Sequence, residues 1–321
     1  MRTLPTLVLS GLALALASCI APTGSRVDVE RRSLAQGPRV LGVIAHPDDE
    51  LAFGATLYRL SHQLDATCDL LVITNGEGGF KYSTLAEPLY GVEITDEATG
   101  RAVLPEIRRK ELLESARILG VSAVTFLGEK DHRYTTDIDE VLGPEAKAWD
   151  LARVRRKLAE QLANGRYDYV FGLAPSETSH AHHKAATALA AEAVLAMDPA
   201  RRPVMLVSRV RDASEPRSVA YAPENPSVKI GPFVLDRRDK LGHQDKLDYG
   251  IVVNWAIAAH KSQGSMQLYV GRGDREEFTL FGDRSASSSQ RAEALFTLLR
   301  NAKPPTRDYT ESAGTNYESL P

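Results

Sequence analysis

The sequence predicts one doubly wound α/β domain, a mostly parallel sheet with helices on both faces, and three observations carry that expectation. The run Val40-Leu41-Gly42-Val43-Ile44-Ala45 is apolar at consecutive positions, as a strand buried on both faces has to be. A helical pattern over residues 51–64 and a second apolar run over 68–74 follow it and make a βαβ unit. The alternation of strand and helix then continues almost to the end of the chain, with no internal repeat or low-complexity tract.

In order, the first strand lies between Gly37-Pro38 and Pro47, and the second ends in the loop Asn75-Gly76-Glu77-Gly78-Gly79. Residues 80–105 are polar and turn-rich without clear periodicity, longer than a compact domain needs, and read as a cleft wall or lid. Helix is expected at 106–119, stopped by Gly120, and strand at 123–127. An irregular stretch at 131–148 precedes a helix at 151–162, a strand at 167–173, a helix at 184–197 and a strand at 204–210. A strand pair within 227–235 and helices at 250–260 and 290–299 complete the domain, which spans residues 39–303 before a polar tail at 304–321.

The N-terminus reads as a targeting segment. Arg2 and the apolar stretch 7–17 form a signal peptide over residues 1–18, too short to span a membrane, so it is set apart from the fold. It ends in Leu16-Ala17-Ser18-Cys19, which resembles a bacterial lipobox; the resemblance implies lipidation of Cys19 and a tether over 19–38. The expected location is the cell envelope, anchored at the outer membrane or cell surface, or secreted if the lipobox is not used. Cys68 is the one other cysteine and reads as a small buried hydrophobe.

Composition bounds the chemistry loosely. With 321 residues, 43% hydrophobic, 25% charged and a formal charge of −3, nothing points to nucleic acid, and the scattered Arg pairs read as solvated surface. Ligand-type residues are far from scattered. His46-Pro47-Asp48-Asp49-Glu50 follows the first strand, and His180-Ala181-His182-His183 lies between a strand and a helix; with His260 they hold five of the eight histidines. Ligand sites of open parallel sheets lie at the carboxyl ends of the strands, where both segments fall. His46 and Asp49, at i and i+3 around a turn, can converge on one zinc ion, and either His183 or His180 can complete three protein ligands. Asp48 then projects beside the metal, where a carboxylate can take a proton from bound water. A phosphate-receiver reading of Asp48-Asp49 fails, because later strand ends offer Thr74-Asn75 and Gly128-Glu129 instead of a phosphoacceptor aspartate.

The segment Ala45-His46-Pro47-Asp48-Asp49-Glu50 resembles the first motif of the zinc-dependent de-N-acetylase family, the PIG-L/LmbE-like deacetylases of N-acetylglucosaminyl-phosphatidylinositol and of the mycothiol and bacillithiol pathways. Thr74 to Gly79, Arg108 with Glu111, Phe126-Leu127-Gly128 with Asp131, His180-x-x-His183 and His260-x-Ser262-Gln263 follow in the family's order. The resemblance implies a Rossmann-like domain with one Zn2+ held by His46, Asp49 and His183, Asp48 as general base, and His180 protonating the leaving amine or stabilising the oxyanion. It places Glu77, Arg108 and Asp131 in the substrate cleft. The implied reaction removes an N-acetyl group from an amino sugar, a glycan or a related small molecule outside the cytoplasm. A zinc esterase and a non-catalytic, surface-tethered sugar-binding protein are the two alternatives. One position departs from the family: its second motif often carries aspartate directly before the zinc histidine, where this chain has His182.

Overall fold

The computed structural model describes residues 24–29, 36–242 and 244–303. The expected signal peptide over residues 1–18, Cys19 and the 304–321 tail lie outside the described residues. Among those described, no helix is long and apolar enough to cross a membrane.

The sheet strands are β1 (Ser25–Asp28), β2 (Arg39–Ile44), β3 (Thr67–Thr74), β4 (Ala123–Glu129), β5 (Tyr169–Leu173), β6 (Val204–Arg211), β7 (Phe233–Asp236) and β8 (Arg275–Leu280). Their order in one eight-stranded sheet is β1-β4-β3-β2-β5-β6-β8-β7. The central five pair in parallel; β1 adds antiparallel to β4, β8 to β6 and β7 to β8. The chain order reverses at β2, which has β3 on one side and β5 on the other, so the crevice for a ligand opens beyond the ends of β2 and β5.

The six main helices are α1 (Gly54–Gln63), α2 (Glu97–Leu119), α3 (Leu151–Gly165), α4 (Ala181–Leu195), α5 (Tyr249–Ala259) and α6 (Ala286–Asn301). Alternation along β2 explains the two layers. Val40 and Ile44 face one core with residues of α1, α2, α5 and α6, whereas Leu41 and Val43 face a second core with residues of α3 and α4. Both faces are covered, which is why the parallel strands read as continuous apolar runs.

Three differences from the sequence reading have physical causes. Ser25–Asp28, within the expected tether, pairs with β4 and covers an otherwise open sheet edge. The helix expected from residue 106 begins at Glu97, because Asp96 caps it by accepting from the Thr99 N–H, and Pro105 sits inside it. Residues 80–105 are therefore structured, and Phe80, Ala86, Ile94 and Leu104 bury a small core of their own. Strand β8 escaped notice because Arg-Glu-Glu reads as surface, yet Glu276 is fully buried. Its carboxylate accepts from the N–H groups of Ala55 and Thr56 at the start of α1, from Thr56 Oγ1 and from Arg237 Nε.

Candidate metal centre and active site

The turn after β2 is built backwards from its side chains. Asp49 Oδ2 accepts from the backbone N–H of His46 at 2.8 Å and of Ala45 at 3.0 Å, which closes the turn. That leaves Asp49 Oδ1 aimed at His183 Nε2, 3.0 Å away, while His46 Nδ1 lies 3.1 Å from the same nitrogen. Asp48, between them, has φ of 130°, a strained left-handed conformation for a residue with a side chain. The strain is held by its N–H, which donates to Glu50 Oε2 at 3.0 Å, and by its carboxylate, which meets Arg108 Nη2 at 2.9 Å.

Glu50 is the buried base of this arrangement. Its Oε1 lies 2.6 Å from His260 Nε2 and accepts from Ser115 Oγ at 2.6 Å, so α2 and the end of α5 grip the turn from below. Next to it, Ser262 donates twice to Glu111, by N–H and Oγ. His260, Ser262, Arg108 and Glu111 thus act as a scaffold for the turn.

His46 Nδ1, Asp49 Oδ1 and His183 Nε2 converge, and each can offer a lone pair to a metal ion when the two rings are neutral and unprotonated there. Their three residues satisfy the spacing of a metal site. Two imidazoles and one carboxylate, with an open side, are the donor set of catalytic zinc. Asp48 stands beside it. Burial pushes the Asp48 carboxyl up, the Arg108 charge pulls it back, and the result is a carboxyl raised to about 6. Burial also raises the Asp49 carboxyl, but the neighbouring His183 and His46 outweigh it and hold it well below the usual carboxylate range.

His180 caps α4: its Nδ1 accepts from the His182 N–H at 3.0 Å, so a neutral His180 carries its proton on Nε2. Burial, then the neighbouring His46 and His183, lower its pKa to about 3, and the ring is neutral near pH 7. His46, Asp48, Asp49, Asp131, His180 and His183 line one cavity of about 330 Å3, walled by Tyr82 from the 80–105 segment and by Tyr134. A larger cavity of about 860 Å3, lined by Arg166, Asp168, Arg202 and Arg291, lies at the opposite ends of the strands and contains no histidine.

The three residues that resemblance placed in the cleft have distinct positions. Arg108 touches the cavity but is only 2% exposed, with its guanidinium spent on Asp48, Gly76 O and Pro47 O. Asp131 accepts from the Gly78 N–H at 3.1 Å and faces His46 and His182. Glu77 is buried, does not line the cavity, and its Oε2 has no hydrogen-bond partner among the described residues. His182 is fully buried against the Trp149 ring. His132 and Glu140, which sequence reading passed over, extend from it; the available signal was their place just beyond β4, at the same edge of the sheet as His46.

Residues 41–194 match the family described as GlcNAc-PI de-N-acetylase, PIG-L. Three of the similar solved structures are a deacetylase, a hydratase and a second deacetylase. The N,N'-diacetylchitobiose deacetylase from Pyrococcus horikoshii is 19% identical, covers 77% of this chain and 85% of its own, and has a TM-score of 0.46. GalB, the 4-carboxy-2-hydroxymuconate hydratase from Pseudomonas putida, is 17% identical over 77% and 98%, with a TM-score of 0.49. A deacetylase of the teicoplanin biosynthetic pathway is 16% identical over 76% and 99%, with a TM-score of 0.47. Likenesses at this level say nothing about the reaction. No curated protein matches the chain.

Proposed function

We propose, for a chain that carries a PIG-L family domain over residues 41–194, that it is a zinc-dependent hydrolase removing an N-acetyl group from an amino sugar or related N-acetylated molecule outside the cytoplasm. The observation that carries this reading is the convergence of His46 Nδ1, Asp49 Oδ1 and His183 Nε2 beside a carboxyl, Asp48, raised to about 6. A pKa near the working pH is what a general base needs, since it must be ionised yet still hold a proton.

The zinc would be held by His46, Asp49 and His183, and when bound it supplies Lewis acidity toward a carbonyl oxygen and toward water. Asp48 takes the proton of the attacking water. Its carboxylate is kept from swinging away by Arg108, and its backbone is kept in the strained turn by Glu50. His180 presents Nε2–H to the cavity, which suits hydrogen-bond donation to the oxyanion of the tetrahedral intermediate, and the proton that Asp48 has taken from water passes on to the departing amine. Collapse gives acetate and a free amine. The cavity of about 330 Å3 has the volume of a small ligand site, and Tyr82, Tyr134 and Tyr269 around it offer faces on which a sugar ring can stack. Lipidation of Cys19 would hold this chemistry at a membrane surface.

A panel of N-acetylated amino sugars, with amine release as the signal, tests the reaction on protein loaded with zinc after chelator treatment. The expected result is about one zinc per chain, zinc-dependent amine release, and an Asp48→Asn variant that keeps the metal and loses turnover by about 10²–10⁴-fold. Cleavage of esters with every acetamide untouched would remove the amide-hydrolase reading. Loss of metal in Asp48→Asn would exchange the roles of Asp48 and Asp49.

A further inference from the structure

His182 is not one of the three converging ligands and does not line the cavity; with His46, Asp131 and His180 it makes a second group of metal-ligand spacing, and it is fully buried with both ring nitrogens engaged. Its Nδ1 lies 3.0 Å from His46 Nε2, and its Nε2 lies 2.9 Å from His132 Nδ1. His132 Nε2 in turn lies 3.4 Å from Glu140 Oε2. Four side chains therefore form one line from the turn after β2 to the short helical turn at Asp139–Leu142.

The direction of this line is fixed at its outer end. Glu140 is a carboxylate that also accepts from Arg133 Nη2 at 2.7 Å and Thr135 Oγ1 at 2.9 Å, so it has no proton to give. His132 must then donate from Nε2, which in the neutral ring leaves Nδ1 as an acceptor. His182 must donate from Nε2 to that acceptor, which leaves its own Nδ1 as an acceptor. His46 must donate from Nε2, which in the neutral ring leaves His46 Nδ1 as a bare lone pair. Asp131 Oδ1 offers His182 Nδ1 a rival partner at 3.4 Å. A proton placed there, however, would leave two lone pairs facing each other across the 2.9 Å between His182 and His132.

We propose that Glu140, His132 and His182 are positioning residues, a one-way hydrogen-bond relay that sets the His46 tautomer so that its Nδ1 lone pair faces Asp49 and His183. The relay does at a distance what a carboxylate beside a metal-binding histidine does directly, fixing the ring and raising the basicity of its ligating nitrogen. Its outer half is anchored from α2, where Arg101 donates to the carbonyls of Asp131 and His132 at 3.0 and 2.8 Å. The consequence for zinc affinity rests on the reading of His46 as a ligand; the tautomers themselves require no metal.

The experiment has two arms. Long-range proton–nitrogen spectra of 15N-histidine-labelled, metal-free full chain at pH 8 read each tautomer, and His46, His182 and His132 should all carry the proton on Nε2. A proton on Nδ1 of His182 or His132 overturns the relay. Glu140→Gln, at a partly exposed site, should mix the tautomers because an amide both donates and accepts; unmixed tautomers in that variant count against the assignment. The second arm is zinc affinity by chelator competition, where His182→Phe should bind about 10–100-fold more weakly. His182→Asn, whose Oδ1 replaces Nδ1, should recover most of that loss, and His182→Gln, which reaches only toward His132, should not. Unchanged affinity in His182→Phe overturns the proposal. So does a second zinc that disappears in His182→Phe, because His46 Nε2 would then be a ligand atom. Failure of the wild-type chain to bind zinc removes the functional reading, while the tautomers still decide the relay.

Discussion

Replacing Arg108 by glutamine should move the pH profile of turnover, and the size of the move follows from one contact. Arg108 Nη2 lies 2.9 Å from Asp48 Oδ2 at the buried floor of the cavity, and with that charge present the Asp48 carboxyl still rises to about 6. An opposite charge at this distance lowers a carboxyl by about 1–3 units, so its removal should leave Asp48 at roughly 7–9, a change of about 1.4–4 kcal/mol. The sign is simple: a higher pKa means less ionised base at a given pH, so activity is lost from the acid side upward. In the metal-free site this takes the ionised fraction at pH 7 from about 0.9 to between about 0.5 and 0.01, and in the assay the acid limb of the profile should move up by the same amount, about 1–3 units, with turnover recovering as the pH is raised. Arg108→Lys keeps a cation and should shift the profile less. Zinc in the site lowers the Asp48 pKa in both proteins, so the displacement between profiles is the readout. The assay is kcat against pH on zinc-loaded protein, with thermal unfolding to confirm folding, since Gly76 O and Pro47 O lose a donor. A lower plateau with an unmoved midpoint would refute the reasoning and put Arg108 against the substrate instead.

Two further outcomes follow from the same geometry, and a third from the sequence. His260→Ala strands the buried Glu50 carboxylate and should cost about 3–5 kcal/mol in denaturant unfolding at pH 6. Burial alone would lower the His260 pKa, but Glu50 outweighs it and raises it. That stabilisation is therefore full below the unfolded histidine value and fades as pH rises through the folded one, so the gap between wild type and variant should narrow at high pH; a widening gap would contradict it. Gly76→Ala places a Cβ 2.2 Å from Arg108 Nη1 at a φ of +74°, and should lower the unfolding temperature and turnover together, with at least about 1–2 kcal/mol from the backbone alone. Cys19→Ala should release the protein from the membrane fraction if the anchor is lipid on that cysteine; an unchanged fraction would locate the attachment elsewhere.

Much of the fold was legible in the sequence because burial on both faces leaves a local trace. The apolar runs of β2, β3, β4 and β5 announce themselves, and Gly120, at φ of 71°, ends α2 where the sequence stops its helix. Elements whose burial is polar were not legible. β8 hides behind charges satisfied by Arg237 and the start of α1, and the first turns of α2 hide behind Gly100 and Pro105, which local propensity counts against helix. The short strand Ser25–Asp28 has no signal of its own, since its stability comes from pairing with β4.

The expectation that His46, Asp49 and the 180–183 segment make a metal site can be drawn from sequence alone, because two clusters of ligand-type residues fall at the ends of buried strands. What each side chain does was decided by tertiary structure. Sequence spacing cannot say which nitrogen of a ring faces which neighbour, and that choice separates His183, beside Asp49, from His182, buried one residue away against His46 and His132. The same holds for Arg108. Its position on a helix is readable from periodicity, but its pairing with Asp48 depends on α2 packing beside a strained turn more than fifty residues earlier. Composition and period fix which faces are buried; the partner of a buried charge is fixed by where the chain returns in space, and the protonation of the site depends on that partner.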